Sequence, residues 1–451
     1  MPARRFVCFT LTLATLALVC SIRTARANGR FPLAQAIVSV PGGDGQTLYL
    51  RATFGLLVSK DAGKTWRWVC ERALGYEGQW DPPIAATHDG RLWIGLERGL
   101  VSTADGCTMD PSPELDGETI KDLTTDPKGE TLWALTGTPD KRGAVWRLSI
   151  AKRDGGAAAW ERTGFLPESF NTTTIEVAPS KPSRVYVSGQ PYGTMRGWLM
   201  RSDDGGKTFS GTKNDLEAMG PFFIAAVDPK DPNRVLVRHL HTTGSDVLVT
   251  TDGKAFKNVL SMKSAMFGFA KSPDGSTYWA GSGLAVDGVF RSTDRGEHFE
   301  RVSNHGVLCL HAISNDRLFV CDNPFTLGAS AIALSNDQGK TLQSIATFGD
   351  IQGPLACKSD VCGGSWGETL ASLVPRDAGP TGPSTRSLRE AGVSAGDPPS
   401  RSTCGCTVAG DPASSLDLVW LTTGLVPLVM RGRARTRRGS GLSHRGRRHT
   451  T

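Results

Sequence analysis

Five stretches of this chain repeat one phrase: a serine or threonine, an aspartate two residues on, a glycine, and an aromatic or apolar residue to finish. Ser59-Lys-Asp61-Ala-Gly63-Lys-Thr65-Trp66 is the cleanest copy, and Ser202-Asp-Asp204-Gly-Gly206-Lys-Thr208-Phe209 matches it at every key position. Ser292-Thr-Asp294-Arg-Gly296-Glu-His298-Phe299 and Ser335-Asn-Asp337-Gln-Gly339-Lys-Thr341-Leu342 each change one residue. Thr250-Thr-Asp252-Gly253-Lys-Ala-Phe256 is a shortened copy. Self-similarity at a period of about 20–50 residues is the signature of a repeat architecture, so it constrains the fold before any other signal.

The residue types suit a tight turn between strands. Short Ser and Asp side chains accept hydrogen bonds from nearby backbone N–H groups, glycine admits a positive φ, and the closing aromatic can pin the turn to a sheet. Two weaker stretches fill the gaps. Ser102-Thr-Ala104-Asp-Gly106-Cys-Thr108 keeps the frame but has lost the key aspartate, and Ser149 to Trp160, with Asp154-Gly155-Gly156, is heavily eroded. The starts at 59, 102, 149, 202, 250, 292 and 335 are 42 to 53 residues apart. That spacing fits one four-stranded blade per copy, in the usual range of propeller sizes. Each copy follows a short apolar strand, such as Gly55 to Val58 or Ala331 to Leu334. Turns such as Asp89-Gly90 and Asp274-Gly275 lie further upstream and read as hairpin signals.

The phrase resembles the Asp-box, or BNR, repeat of β-propellers. The resemblance covers about residues 31–350 and implies an all-β fold: a single seven-bladed β-propeller of four-stranded antiparallel blades, spanning 28–350. Ser59, Asp61, Gly63, Trp66, Ser202, Asp204, Gly206, Phe209, Asp252, Asp294, Gly296, Asp337 and Gly339 are then structural turn residues on one rim. Calcium is not expected there, because one or two carboxylates per loop fall short of the 6–8 oxygens that ion takes.

The ends of the chain read differently. Residues 1–27 read as a secretory signal: Arg4 and Arg5, an apolar core from Phe6 to Cys20, and Ala25-Arg-Ala27 as the cleavage site. Lipoprotein cleavage before Cys20 is disfavoured by the bulk of Val19. Segment 351–374 is a cysteine-bearing exit, and 375–403 a Pro/Gly/Ser-rich linker. Segment 404–451 holds Cys404-Gly-Cys406, an apolar run from Leu418 to Met430, and eight arginines from Arg431 to Arg448. This order resembles the C-terminal sorting signal of myxobacterial surface proteins, which implies cleavage and anchoring at the cell surface through Cys404 or Cys406. The formal charge of +7 comes from these ends. Twelve of the 51 lysines and arginines lie in 1–27 and 431–451, which hold no acid, and the remaining 39 face 44 acids. The propeller region is therefore slightly acidic and carries no nucleic-acid footprint, while the terminal arginines act as a topological stop. A membrane is expected to be met only through this C-terminal signal.

Six cysteines remain between the signal and the linker, as expected for an oxidising compartment. Cys309 and Cys321 are symmetric about Asn315 in a predicted hairpin and should face each other. Cys357 and Cys362 enclose four residues, which leaves Cys70 to pair with Cys107. No strand exchange between the chain ends is visible. Metal binding is not expected at these spacings, nor is any cofactor.

Propeller ligands usually meet the face opposite such turns, built from the loops that join strand two to three and strand four to the next blade. The candidates there are Tyr76, Trp80, Arg142, Tyr192, Arg196, His239, His241 and Phe325. Exposed aromatics with polar neighbours suit a glycan or peptide, although each loop read alone is also compatible with an ordinary variable connection. His239 and His241 share one face of a strand without an acidic or cysteine ligand nearby in sequence, so a metal is not expected. Among BNR proteins, sialidases need three arginines, a Tyr–Glu pair and an acid Asp. Their N-terminal Phe/Tyr-Arg-Ile-Pro motif is missing, and tyrosine is scarce at five. Xyloglucanase-type relatives use two tandem propellers, whereas photosystem-assembly factors and sortilin-type ectodomains bind proteins. The resemblance therefore implies a non-catalytic, exported, monomeric binding module for a cell-envelope protein, peptide or polysaccharide. The alternative is a glycoside hydrolase with Asp140 and Glu168 as its carboxylate pair. Mass spectrometry of the mature C-terminus tests the anchor: a terminus near Cys404 or Cys406 is expected, and an intact arginine-rich tail refutes processing.

Overall fold

The computed structural model describes residues 30–138, 140–150, 159–212, 220–324 and 330–373. The signal, the linker, the tail with Cys404 and Cys406, the stretch holding Asp154, and Phe325 lie outside them. The described chain forms seven antiparallel four-stranded sheets, each from strands consecutive in sequence. Blade 1 comprises Ala34–Ser39, Leu48–Ala52, Gly55–Ser59 and Arg67–Val69. Blades 2 to 7 run from Ile84 to Pro111, Ile120 to Phe165, Phe170 to Thr212, Phe222 to Met262, Met266 to Ser303 and Val307 to Ala346. The first strands of successive blades touch one another all the way round, from blade 7 back to blade 1.

The middle strands of a blade are apolar on both faces, because each face is covered by a neighbouring blade. Leu48–Ala52 and Gly55–Ser59 read as continuous apolar runs and are buried almost throughout, the pattern of a strand shielded on both sides. The core is accordingly seven radial seams, one per blade interface. The seam between blades 7 and 1 joins Leu50, Leu57 and Trp66 to Phe319, Cys321 and Ile332. The seam between blades 3 and 4 joins Trp133 and Val145 to Ile175, Val187 and Met200.

The repeated aspartate organises the turn between the third and fourth strands. Ser59 Oγ donates to Asp61 Oδ1 at 2.8 Å and accepts from the Gly63 N–H at 2.9 Å. The same carboxylate accepts from the Thr65 N–H at 2.9 Å and hydroxyl at 2.7 Å. Trp66 is buried, and its indole N–H donates to the Gly63 carbonyl at 3.0 Å. The same bonds recur around Asp204 and Asp337, and around Asp294 with the His298 ring in place of the threonine hydroxyl. Asp252 makes the short version. Blade 2 corrects the sequence reading. Its aspartate is not lost: Thr103, Asp105, Gly106 and Thr108 form the same short turn one residue out of frame.

These turns also bear on the preceding blade, which explains their glycines. Gly63 has φ +85°, and a Cβ there would lie 3.1 Å from Ile345 and 3.2 Å from Phe319 of blade 7. Gly206 has the same φ, and its Cβ would lie 2.7 Å from Thr163 Oγ1 of blade 3. Any side chain would thus be strained in backbone and crowded at the seam.

The exit segment closes the ring. After a one-turn helix, Phe348–Asp350, it runs parallel to the outer strand of blade 1. Gln352 N donates to Trp66 O at 3.0 Å, Trp68 N to Gly353 O at 2.9 Å, and Leu355 N to Trp68 O at 2.8 Å. Helix Gly363–Leu373 follows, with Trp366 5.3 Å from the Trp68 ring and Leu373 in the blade 7–1 seam. Two disulfides fasten this segment, and they overturn the expected pairings Cys70–Cys107 and Cys357–Cys362. Cys362 is bonded to Cys70, and Cys357 to Cys107. Ring closure is the reason: it carries the exit segment past the outer edges of blades 1 and 2, so the near partner in sequence is not the near partner in space. Cys309 and Cys321 are directly opposed on adjacent strands and bridged.

Two predictions follow from this architecture. Burial alone would raise the Asp294 and Asp337 carboxyls, but donors from His298 and from Thr341 with Ser335 outweigh it and hold both at about 2. Depressed folded values stabilise above the ordinary 3.8, and that stabilisation is lost as pH falls through about 2. Urea midpoints should therefore drop steeply between those values, and Asp61→Ala should cost about 1–2 kcal/mol at neutral pH. Either long-range disulfide alone still closes the ring. Removing one should cost about 4 kcal/mol in chain-entropy terms, and the Cys357→Ser/Cys362→Ser double variant more than twice that, measured by equilibrium unfolding.

Candidate binding site

Strands alternate in direction, so the aspartate turns occupy one face, and the loops joining strands two and three, or successive blades, occupy the other. On that second face, three connections of blades 3 and 4 enclose a cavity of about 240 Å³. The hairpin between Thr131–Thr138 and Lys141–Ser149 supplies Asp140 and Arg142. The link between the blades supplies Glu168 and Ser169, and the long loop of blade 4 supplies Tyr192.

Backbone geometry fixes these loops against one another. The hairpin carries a register shift between Thr136 and Thr138, which interrupts the regular pairing beside the cavity. Ser169 has φ 56°, and its carbonyl accepts from the Tyr192 N–H at 2.8 Å. Arg142 Nε donates to the Leu166 carbonyl. Lys141 Nζ donates to the Gly117 carbonyl at 2.7 Å and lies 3.6 Å from Glu118, so its charge is directed toward blade 2.

The cavity presents both signs of charge and several hydroxyl partners. The neighbouring Thr138 side chain, the local backbone and the Lys141 charge hold the Asp140 carboxyl below the ordinary aspartate range. Partial burial, helped by the Asp140 charge, raises the Tyr192 phenol, which stays neutral and able to donate. A ligand would therefore meet the ionised Asp140 carboxylate, the Arg142 guanidinium and a phenolic donor. At this size the cavity suits one ring or side chain, below the ~300–1,000 Å³ of sites for larger ligands.

The remaining sequence candidates fall elsewhere. Tyr76 is only 8% exposed and packs in the blade 1–2 seam, where burial raises its phenol. Trp80 is half-buried, its indole N–H donating to Gly95 O at 2.9 Å. The expectation that these two aromatics offer open faces is thus corrected: the loop Tyr76 to Trp80 folds inward to cap a seam. His239 is also buried, edge-on to Phe222 with ring centres 5.4 Å apart. His241 sits 3.5 Å from the Asp246 carboxylate on the adjacent strand, which corrects the reading that no acid lies nearby: Asp246 is five residues on, across the hairpin. Among the described residues no group of three His, Cys, Asp or Glu side chains could hold a metal ion. Arg196 is exposed on the blade 4 loop.

Two other places compete. A cavity of about 420 Å³ is lined by Val302, Ser303, Asn304, His305 and Lys340. Among the described residues it has no carboxylate lining, and its Ser303–His305 hydrogen bond of 2.9 Å closes a local turn. The inner strands carry Asp122, Glu176, Lys271 and His311, none of which sequence reasoning singled out. Burial pushes Asp122 up to about 7 and His311 down to about 4, raises Glu176 and lowers Lys271. Their bonds tie blades together. Asp122 accepts from the Ile175 N–H at 2.9 Å, Thr124 donates to Glu176 at 3.1 Å, and His311 pairs with Ser39 at 2.8 Å. The loop-face cavity is therefore the better candidate.

No protein-family model matches the chain, and no curated protein matches it in sequence. Several solved structures are similar to it at low sequence identity. An ancestral GH74 enzyme is 13% identical over 69% of this chain, with a TM-score of 0.47, and the chain spans 44% of that enzyme's length. Sqt1 of Saccharomyces cerevisiae is 14% identical over 70% of this chain and 86% of its own, with a TM-score of 0.47. YCF48 from Cyanidioschyzon merolae is 13% identical over 68% of this chain and 95% of its own, with a TM-score of 0.45. The strand topology itself makes this chain a seven-bladed β-propeller of four-stranded antiparallel sheets.

Proposed function

We propose that this propeller is an exported binding module, held at the cell surface, that recognises a protein, peptide or glycan through the loop face of blades 3 and 4 without catalysis. The observation that carries this reading is the convergence of Asp140, Arg142, Glu168 and Tyr192 on one small cavity. Three disulfides fit an oxidising compartment. No helix among the described residues is long and apolar enough to cross a membrane. The surface anchor rests on the C-terminal signal alone.

One observation supports the alternative of a glycoside hydrolase: Asp140 and Glu168 line the same cavity. A glycosidase acid, however, must hold its proton near neutral pH. Asp140 is biased the other way by its surroundings. The decisive experiment incubates the purified protein with a glycan panel and an envelope extract. Retention of a ligand without release of reducing sugar is expected, with retention weakened by Tyr192→Ala. Sugar release abolished by Glu168→Gln would overturn the non-catalytic reading and establish the hydrolase.

A further inference from the structure

Beside the cavity, the outer edge of blade 3 carries a stack of arginines and aromatic rings that the preceding reading does not use. In its outermost pair of strands, Ala144 faces Phe165, Val145 faces Gly164 and Trp146 faces Arg162. Thr163 is therefore an extra residue, and the bulge reverses the alternation so that Arg162 and Phe165 share one face. The small Ala144 leaves room for the Phe165 ring. The Arg162 guanidinium lies 4.4 Å from the centre of Phe165 and 5.5 Å from that of Trp146. Arg142, which lines the cavity, lies 5.3 Å from the same Phe165 ring.

This stack leaves a charge without an ionic partner among the described residues. Arg162 is exposed, and among the described residues no group forms a hydrogen bond or ion pair with it. The adjacent acid, Glu161, is already engaged by Arg147 at 2.8 Å. Stacking on two rings holds the planar fork in place while its N–H edges stay open, so little conformational entropy is lost when a carboxylate binds. Phe165 is itself 42% exposed.

The geometry points to a binding site for a uronate-containing polysaccharide, with one sugar ring in the cavity and the carboxylate of a neighbouring unit on the Arg162 fork. This inference rests on the reading of the cavity as a binding site and adds the ligand's charge. Inside the cavity Asp140 and Glu168 are matched by Lys141 and Arg142, so the lining carries no excess positive charge to call for an anion and offers acceptors to neutral hydroxyls, whereas the Arg162 guanidinium outside attracts a carboxylate. A ligand must therefore combine a hydroxyl-rich neutral ring with a carboxylate at a distance. An acidic peptide offers the carboxylates without the density of hydroxyls.

The test is calorimetric titration of the purified full chain with oligogalacturonate, a neutral cello-oligosaccharide and poly-glutamate. Oligogalacturonate should bind most tightly, and more weakly as salt rises. Arg162→Gln should weaken that binding about ten-fold or more, as for loss of a charged hydrogen-bonding partner, and leave neutral binding unchanged. Arg162→Lys should restore little, because an ammonium lacks the planar fork. Thermal melts of each variant confirm the fold, and Phe165→Leu, which keeps every charge, should weaken uronate binding too. Tyr192→Ala should weaken both sugars. Equal uronate binding by wild type and Arg162→Gln, or preference for poly-glutamate, overturns the inference. If the neutral sugar binds as well as the uronate, the inference fails while the cavity reading stands. If no sugar or polypeptide binds, both fail.

Discussion

Every blade of this ring is made from consecutive strands, so nothing in the strand order joins the last blade to the first. The junction depends on one backbone strip, where residues 352–355 pair with the outer strand of blade 1 and the Cys70–Cys362 and Cys107–Cys357 disulfides hold them there. Each of the seven seams needs a neighbour on both sides. A blade at an open end would expose a face as apolar as Leu48, Leu50 and Leu57, all of them buried here. Loss of closure would therefore cost the whole blade 7–1 seam as well as the strip itself. The first and last blades also touch directly at their inner strands, so closure is made both at the axis and at the rim.

The aspartate turns and the closing strip divide the work. The turns are local: Ser59, Asp61 and Thr65 satisfy one another within seven residues, and the turn needs no distant partner to form. Their glycines and terminal aromatics then reach into the seam with the preceding blade, which converts a local motif into a spacer between blades. The inner strands add a polar counterpart. Asp122 and Thr174 each accept a backbone N–H of the next blade, so part of the axial contact is hydrogen-bonded as well as apolar.

Much of this was legible in the sequence because the turn chemistry is local and periodic. The spacing of Ser59, Ser202, Ser292 and Ser335 counts blades without knowledge of any contact. The cysteine pairing was not legible, since spacing ranks partners by distance along the chain and a closed ring rewards the opposite. Blade 2 misled for a smaller reason: its short turn begins at Thr103, so a frame starting at Ser102 places alanine where the aspartate should be. For the site, the sequence identified the loops but not their burial. Asp140, Arg142, Glu168 and Tyr192 do meet, while Tyr76 and Trp80 turn inward because the segment after Val69 must cover the seam between blades 1 and 2. Arg162 left no signal at all. Only the bulge at Thr163 brings it onto Phe165, and no residue type in that strand announces a bulge.

The route by which the chain leaves the ring has a mechanical consequence. Cys362 is covalently joined to Cys70, so a pull applied beyond Leu373 reaches blade 1 through a disulfide before it can load blade 7. The tension bypasses the chain between those cysteines, which are 292 positions apart, and spares the hydrogen bonds of the closing strip. Because the point of attachment is on the rim, a tethered ring would hang by its edge, with the cavity-bearing face and the turn-bearing face both open to whatever flows past.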